Sequence, residues 1–171
     1  MEFVKITKQN FNIYYSLLEQ DFPFDERKSR QEELNALDND KFKPYFIYDD
    51  SCLVGYFTYW EFDEFVFGEH LAILKEIRNK GLGTKVLTQF VNSLNKPFVF
   101  EVERPVDELT TRRVELYKRL GFIINGYDYY QPSYHKANDA IPMYIVSYPK
   151  PLTNDEYIKY VDVVKHHVYN I

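Results

Sequence analysis

The feature that constrains this chain most is a pair of glycines placed between a basic loop and an apolar helix. An apolar stretch, Leu71-Ala72-Ile73-Leu74, leads into a charged loop that ends as Arg78-Asn79-Lys80-Gly81-Leu82-Gly83. Glycine allows backbone conformations barred to other residues and lets a ligand approach closely. The first turn of a helix offers unpaired N–H groups and the positive end of its dipole. With the charges of Arg78 and Lys80, the loop predicts an anion site suited to a pyrophosphate.

Two better-known phosphate-binding motifs do not fit this loop. The loop of nucleoside triphosphatases needs Gly-Lys followed by Ser or Thr, which the sequence lacks. The dinucleotide fingerprint needs a third glycine three residues after Gly83, where Val86 stands. A glycine-containing turn beside solvated charges is the simpler alternative, and only the flanking segments favour an anion site over it.

Length and composition indicate one globular domain. The 171 residues are 45% hydrophobic, enough for a substantial core, and the 16 Tyr and 14 Phe indicate half-buried aromatics or a lined cleft. The formal net charge is −5, and an acidic chain is a poor partner for nucleic acid, which needs a basic patch. The charge mildly favours a cationic, amine-bearing partner.

The sequence predicts neither a disulfide, nor a metal site, nor a membrane segment. Cys52 is the only cysteine, and its place before an apolar strand predicts a small packing residue. We expect His135, His166 and His167 at the surface, and no His, Asp or Glu spacing suggests a metal. No long apolar run or leader pattern occurs, so we expect no membrane partner and a cytoplasmic location.

Hydrophobic patterning predicts an α/β chain in which a mixed, mostly antiparallel sheet is flanked by helices. One domain would span 1–171, with a core over about 1–148 and a C-terminal helix over about 153–169 that covers the sheet. Predicted strands are 3–7, 45–48, 53–61, 65–74, 97–102, 122–130 and 142–148. Predicted helices are 10–19, 26–37 (burying Leu34 and Leu37), one from the glycine pair to Leu94, 108–120 (with Leu109 among its apolar positions), and 154–169. The strand–helix–strand portion in the middle predicts a parallel crossover.

A second motif gives the glycine loop a context. Leu116-Tyr117-Lys118-Arg119-Leu120-Gly121-Phe122 follows the loop with one predicted strand between them. Together the two stretches resemble the motifs of the GNAT (Gcn5-related N-acetyltransferase) superfamily, Arg/Gln-x-x-Gly-x-Gly/Ala and a helix ending Leu-Tyr-x-x-x-Gly-Phe. The resemblance covers roughly residues 1–148. It implies an acyl-CoA-binding fold and N-acetyl transfer from acetyl-CoA, which is a cosubstrate, without a metal.

The resemblance also implies which residues hold the cofactor. The strand before the loop is expected to splay from its neighbour, and backbone groups there and in the loop would hold pantetheine and pyrophosphate. The matching positions are Leu71, Ala72, Ile73, Arg78, Asn79, Lys80, Gly81, Leu82, Gly83 and Thr84. Thr110 and Arg113 replace the Asn and Ala that many members carry; Thr110 could still offer a hydroxyl to the cofactor.

Tyr117 matches the tyrosine that commonly protonates the departing CoA thiolate, although a packed aromatic is the alternative. Some members carry their general base two residues before the Leu-Ala-Val/Ile stretch, which is Glu69 here, and His70 is the second candidate. Strand alternation predicts Phe67, Glu69 and Leu71 on one face of the sheet and His70 and Ala72 on the other.

The acceptor implied by the resemblance is a small-molecule amine whose identity the sequence does not give. Aromatic walls with a few carboxylates would suit it; the candidate residues are 22–27, Tyr56, Tyr59, Trp60, Glu61, Tyr127, Tyr129, Tyr130 and Tyr134. Two alternatives stay open: an acyl-CoA-binding or sensing module with little catalysis, and acetylation of a protein N-terminus or lysine. Either a monomer or a homodimer fits.

Overall fold

The computed structural model describes residues 1–135 and 139–171. The described strands are β1 (Glu2–Lys5), β2 (Phe42–Asp49), β3 (Cys52–Glu61), β4 (Val66–Ile73), β5 (Phe98–Glu103), β6 (Ile123–Gln131) and β7 (Ile141–Tyr148). The α-helices are α1 (Phe11–Asp21), α2 (Arg30–Ala36), α3 (Leu82–Ser93), α4 (Glu108–Arg119) and α5 (Asn154–His167). Short 3-10 turns cover Phe24–Glu26 and Lys75–Ile77. Most predicted boundaries agree with these to within a few residues.

The strands form one mixed sheet in the order β1-β2-β3-β4-β5-β7-β6. The first four strands pair antiparallel in sequence order, and β7 pairs antiparallel with both β5 and β6. Only β4 and β5 are parallel, joined by the crossover through α3. The predicted fold class is therefore confirmed, including the crossover.

Helices cover both faces of this sheet. On one face, which we call the α3–α4 face, Val86 and Phe90 of α3 and Val114 of α4 pack with Phe57 and Phe98. The opposite face, the α1–α5 face, is covered by α1 and α2 towards one edge and by α5 towards the other. The Tyr160 ring of α5 stacks on Phe65 at 4.1 Å between centroids, and Val164 beside it is buried. The expectation that the last helix packs on its own sheet is confirmed.

Local signals set where the helices begin. Ser29 with Glu32, Asp107 with Thr110, and Thr153 with Glu156 form capping boxes that start α2, α4 and α5. In contrast, α3 begins at Gly81 with no side-chain cap. The first N–H groups of α3, like those of α1, therefore have no side-chain acceptor from a capping box.

One expected helix boundary and two expectations about burial are wrong. The second helix begins at Arg30 rather than 26. Leu34 and Leu37 are half-buried and pack against the α1 cluster as expected, but the fully buried residue of the helix is Glu33. Leu109 is 66% exposed because it falls on the solvent side of the first turn of α4. Cys52 is exposed, since it opens β3 directly after a left-handed turn. Across the described residues, we found no helix long and apolar enough to cross a membrane.

Candidate active site

The central feature is the point where β4 and β5 separate. They pair only between Val66–Gly68 and Phe98–Phe100, although β4 continues to Ile73 and β5 to Glu103. Beyond the Gly68–Phe100 pair, β4 and β5 no longer pair with each other. Unpaired strand N–H and C=O groups are costly unless they find another partner. An extended, amide-bearing ligand can supply one in the manner of an added strand. The expected splay of the strand is present.

A β-bulge sits at the start of this split. The β3–β4 register passes from Thr58–His70 to Tyr59–Gly68 and leaves Glu69 as the extra residue. A bulge re-aims the side chains around it. Glu69 and His70 therefore both lie on the α1–α5 face, where Glu69 contacts Trp60 and His70 contacts Phe22. Leu71 packs with the cluster on the α3–α4 face. The prediction that Glu69 and Leu71 share a face, with His70 opposite, is wrong for this reason.

The glycine loop has the backbone shape expected of an anion site. Asn79 (φ 64°) and Gly81 (φ 74°) are both left-handed, and such turns let successive N–H groups converge on one anion. A Cβ on Gly81 would meet no atom within 4 Å, so the glycine is needed for its conformation. A Cβ on Gly83 would lie 3.7 Å from Ile73 Cγ1, an ordinary contact that places the start of α3 against the end of β4.

Arg78 is tied to the end of β4. Its Nε donates to the Ile73 carbonyl at 2.7 Å, and its Nη2 pairs with Asp21 Oδ1 at 2.5 Å. The side chain is still 42% exposed, so part of the guanidinium faces outwards beside the loop. Lys80 is exposed, and Leu82 and Thr84 are half-buried at the helix start.

Thr110 lies at the start of α4, and its hydroxyl is engaged in the cap. The hydroxyl donates to Asp107 Oδ1 at 2.7 Å and accepts from the N–H of Val106 at 3.0 Å. A cofactor contact would require these bonds to rearrange, and that role of Thr110 stays a prediction.

Tyr117 borders the split from the α3–α4 face. Its ring meets Phe100 edge-on at 4.9 Å between centroids, and Phe100 belongs to the last ladder pair. Within the described residues, its hydroxyl has no hydrogen-bond partner. Burial raises the pKa of this hydroxyl, with Arg113 partly offsetting it. The group therefore keeps its proton at neutral pH and is available as a donor.

Glu69 borders the split from the α1–α5 face, in a buried polar cluster. Its carboxylate, 1% exposed, pairs with the Lys28 ammonium. It also accepts from Trp60 Nε1 at 2.8 Å and from the Tyr134 hydroxyl at 2.9 Å. Burial alone would raise its pKa, but the charges of Lys28 and His70 and the hydrogen bonds from Lys28 and Trp60 outweigh burial and lower it. Glu69 is therefore held as an anion, which makes it a weak proton acceptor.

Glu101 is a functional candidate that the sequence predictions missed. It follows Phe100 on β5, so it stands one residue beyond the ladder, as Glu69 does on β4. It accepts hydrogen bonds from the hydroxyls of Tyr129 and, at 2.6 Å, Tyr169. Burial raises its pKa to about 7, with the two tyrosines opposing and nearby Glu69 adding to the rise. A glutamate within the otherwise apolar stretch Phe98-Val99-Phe100-Glu101-Val102 was the available signal.

His70 is buried beside Glu69. Its Nε2 lies 2.9 Å from the Glu26 carbonyl, and its buried Nδ1 has no partner among the described residues. Burial lowers its pKa, against the opposing charge of Glu69. His135, expected at the surface, is half-buried and stacks on Phe24 at 3.7 Å between centroids.

Only part of the predicted aromatic wall borders the Glu69 cluster. Trp60 and Tyr134 contact the carboxylate directly, and Tyr129 reaches Glu101. Tyr59 instead packs against Phe90 on the α3–α4 face. Tyr130 is largely exposed. Over residues 1–135 and 139–171, no group of three or more His, Cys, Asp or Glu side chains is arranged to hold a metal ion.

Comparisons with known proteins point to an acetyltransferase family. The family model described as "Acetyltransferase (GNAT) family" matches residues 11–122. The chain is 34% identical, over 112 residues, to YjbC of Bacillus subtilis (strain 168), a provisionally named acetyltransferase; the match covers 64% of this chain and 56% of YjbC. The chain thus spans about half the length of that curated relative.

Solved structures extend the likeness over the whole chain. A GNAT-family structure from Bacteroides thetaiotaomicron matches with a TM-score of 0.93 and 34% identity, covering 100% of this chain and 99% of that one. An aminoglycoside 6'-N-acetyltransferase complexed with coenzyme A matches with a TM-score of 0.62 and 16% identity, over 90% and 100% of the two chains. At that identity, the second likeness shows the fold alone.

Proposed function

The chain belongs to the acetyltransferase (GNAT) family, and from that we propose that it transfers the acetyl group of acetyl-CoA to the primary amine of a small-molecule acceptor. One observation carries the proposal. The β4–β5 ladder ends at Gly68 and Phe100, with the Tyr117 hydroxyl on one face of the sheet and two carboxylates, Glu69 and Glu101, on the other. A thioester placed in the split would have a proton donor on one side and proton acceptors on the other.

The cofactor proposal follows the same split. The pantetheine arm would pair with backbone groups of Leu71, Ala72 and Ile73, whose β5 side lacks a strand partner. The pyrophosphate would bind over Arg78–Thr84, where the left-handed Asn79 and Gly81 precede the uncapped start of α3. No metal is proposed, because thioester aminolysis needs only proton transfers and orientation.

The proposed chemistry is direct attack by a neutral amine on the thioester carbonyl. The acceptor binds as an ammonium ion and must first lose a proton. We propose that Glu69 holds the ammonium and that Glu101, whose pKa of about 7 suits a base at neutral pH, takes the proton directly or through water. The new C–N bond forms and the C–S bond breaks. Tyr117 gives its proton to the departing sulfur, and the proton that the nitrogen loses as it becomes an amide restores the Tyr117 hydroxyl through water. Glu69 as the base itself stays a weaker prediction, given its lowered pKa.

A binding or sensing module is the second candidate, and one observation favours it. The acceptor side of the split is filled by buried side chains, with Lys28 paired to Glu69, so an acceptor would have to displace them. Thiol release from acetyl-CoA across a panel of primary amines, with each N-acetyl product identified by mass spectrometry, separates the two. Thiol release matched by acetamide supports the transferase. Tight acetyl-CoA binding with no release on any amine supports the binding module.

A further inference from the structure

Lys28 places a primary ammonium group inside the protein. The residue lies between the 3-10 turn at Phe24–Glu26 and the capping residue Ser29 of α2. Its side chain is only 5% exposed. Lysine is almost never buried unless its charge is paired, because desolvating an ammonium ion is expensive. The surroundings of this ammonium are therefore built to receive it.

Three side chains form what we call the ammonium cage: Trp60, Tyr134 and Glu69. The Lys28 Nζ atom lies 5.3 Å from the Trp60 ring centroid and 4.8 Å from the Tyr134 ring centroid. A ring face at such a distance attracts a cation electrostatically. Glu69 supplies the opposite charge and is itself held by Trp60 Nε1 and the Tyr134 hydroxyl. The cage is thus rigid and specific for a cation that carries N–H donors.

The cage lies where the acceptor of an acetyl group would have to lie. Glu69 is the first residue of β4 beyond the ladder, and Glu101 is the first beyond it on β5. The Tyr134 ring of the cage contacts the Tyr169 ring at 4.8 Å, and the Tyr169 hydroxyl donates to Glu101. An amine in the cage is therefore close to Glu101, the residue proposed to take its proton. Both lie on the face of the sheet opposite Tyr117.

Among the described residues, the hydrogen bond and the ring contacts of the Lys28 ammonium group all come from the cage. The Lys28 backbone is anchored separately, since its carbonyl accepts from the Tyr15 hydroxyl at 3.2 Å and Ser29 begins α2. The side chain can therefore leave without unmaking the α2 cap. An external ammonium that replaced it would inherit the same charge and ring contacts, so the exchange leaves no buried charge unpaired.

Building on the proposed function, we propose that the ammonium cage is the subsite for the acceptor's primary ammonium group, and that Lys28 fills it until an acceptor displaces it. The substrate class is an unbranched primary alkylammonium, because Lys28 itself presents one. A quaternary ammonium would satisfy the rings but could not donate to Glu69. Turnover by this route forms an N-alkylacetamide and free CoA thiol, with one proton passing to the Glu101 carboxylate.

The test removes the Lys28 side chain from the cage and then supplies a free ammonium ion of matching size. Lys28→Ala removes three methylenes and the ammonium group, a volume that n-propylammonium matches. We expect n-propylammonium to raise the melting temperature of Lys28→Ala by several degrees. We also expect acetyl-CoA and n-propylamine to give N-propylacetamide about tenfold faster with Lys28→Ala than with wild type. Lys28→Met is the matched control, because it removes the charge but keeps the cage filled; it should show neither effect. Tetramethylammonium should not stabilise Lys28→Ala.

The outcomes separate the cage from the proposed function. No melting shift with n-propylammonium overturns the cage as an exchangeable site. A shift without N-propylacetamide, when wild type acetylates other amines, overturns its role as the acceptor subsite. If the proposed function fails, no variant releases thiol with any amine. The melting shift with n-propylammonium would then remain and would still support the cage.

A second measurement covers the case in which Lys28→Ala does not fold. In wild type, a buried ammonium exchanges its protons slowly enough to give a ¹H–¹⁵N resonance at Nζ. An excess of n-propylammonium should compete with Lys28 for the cage and broaden that resonance. An unchanged resonance overturns the proposal.

Discussion

Glu69 and Glu101 occupy equivalent positions, each one residue beyond the last ladder pair of adjacent strands, and their surroundings move their pKa values in opposite directions. Burial acts on both. Lys28 pairs with Glu69 and lowers its pKa. Among the described residues, the direct partners of Glu101 are the hydroxyls of Tyr129 and Tyr169, and its pKa rises to about 7. Two carboxyl groups with separated pKa values in one site indicate separate roles: one holds a cation, and the other exchanges a proton.

Glu101→Gln should lower kcat/KM roughly 100-fold, the usual order for loss of a general base. The variant keeps one carbonyl oxygen that accepts from Tyr129 or Tyr169, but it cannot take a proton. In wild type, activity should rise with pH through about 7 as Glu101 ionises, and this inflection should vanish in the variant. Glu103→Gln on the same strand, whose partner is the exposed Arg113, should leave the pH–rate profile unchanged. An unaltered inflection in Glu101→Gln would exclude Glu101 as the base.

Tyr117→Phe should lower kcat while changing acetyl-CoA affinity by less than about threefold. The ring contacts with Phe100 and Phe122 persist in phenylalanine. The hydroxyl has no partner among the described residues, so its loss should also leave the unfolding free energy almost unchanged, within about 0.5 kcal/mol. Steady-state kinetics, calorimetric titration and chemical unfolding check the three expectations. Unchanged turnover would make Tyr117 a packing residue.

Gly83→Ala should weaken acetyl-CoA binding without lowering the stability of the fold. The added Cβ would make only an ordinary contact with Ile73 at 3.7 Å, and alanine favours a helix over glycine by up to about 1 kcal/mol. Stability should therefore hold or rise slightly. Acetyl-CoA affinity should fall about tenfold, because the methyl group occupies space beside the proposed pyrophosphate. Gly126→Ala, where a Cβ would meet nothing within 4 Å, is the control, and calorimetry should find its affinity unchanged. Equal affinities in both variants would place the ligand elsewhere.

Glu33→Gln should flatten the pH dependence of stability. Burial and the nearby Glu69 raise the pKa of the Glu33 carboxyl, with Lys28 opposing them. The folded protein then keeps this proton to a higher pH than the unfolded chain does. The unfolded chain binds fewer protons between about pH 5 and 8, so wild-type stability falls as pH rises through that window. Urea unfolding should show Glu33→Gln losing about 1–3 kcal/mol less than wild type from pH 5 to 8. Glu115→Gln is the exposed control, and its stability should change with pH as that of wild type does. If Glu33→Gln loses as much stability as wild type over this range, the account of Glu33 is wrong.

Local patterns in the sequence were sufficient for the element order, the glycine loop and the position of Tyr117. The orientation of Glu69 was not predictable, because the bulge depends on how β3 registers against β4. The partnership of Lys28 with Glu69 was also hidden, since the two lie 41 residues apart. Glu33 looked like a solvated helix residue, and only the packing of α1 over α2 brings the Tyr14 hydroxyl to it at 2.6 Å.

The central claim is that the split between β4 and β5, ending at the Gly81 loop, binds acetyl-CoA for acetyl transfer. Calorimetric titration of acetyl-CoA into wild type and Gly81→Asp tests it most directly, with Gly126→Asp as the charge-matched control. A carboxylate at Gly81 would stand in the proposed anion site and would strain a left-handed backbone of φ 74°. We predict binding to wild type and Gly126→Asp but none to folded Gly81→Asp. Equal affinity in all three proteins would contradict the account.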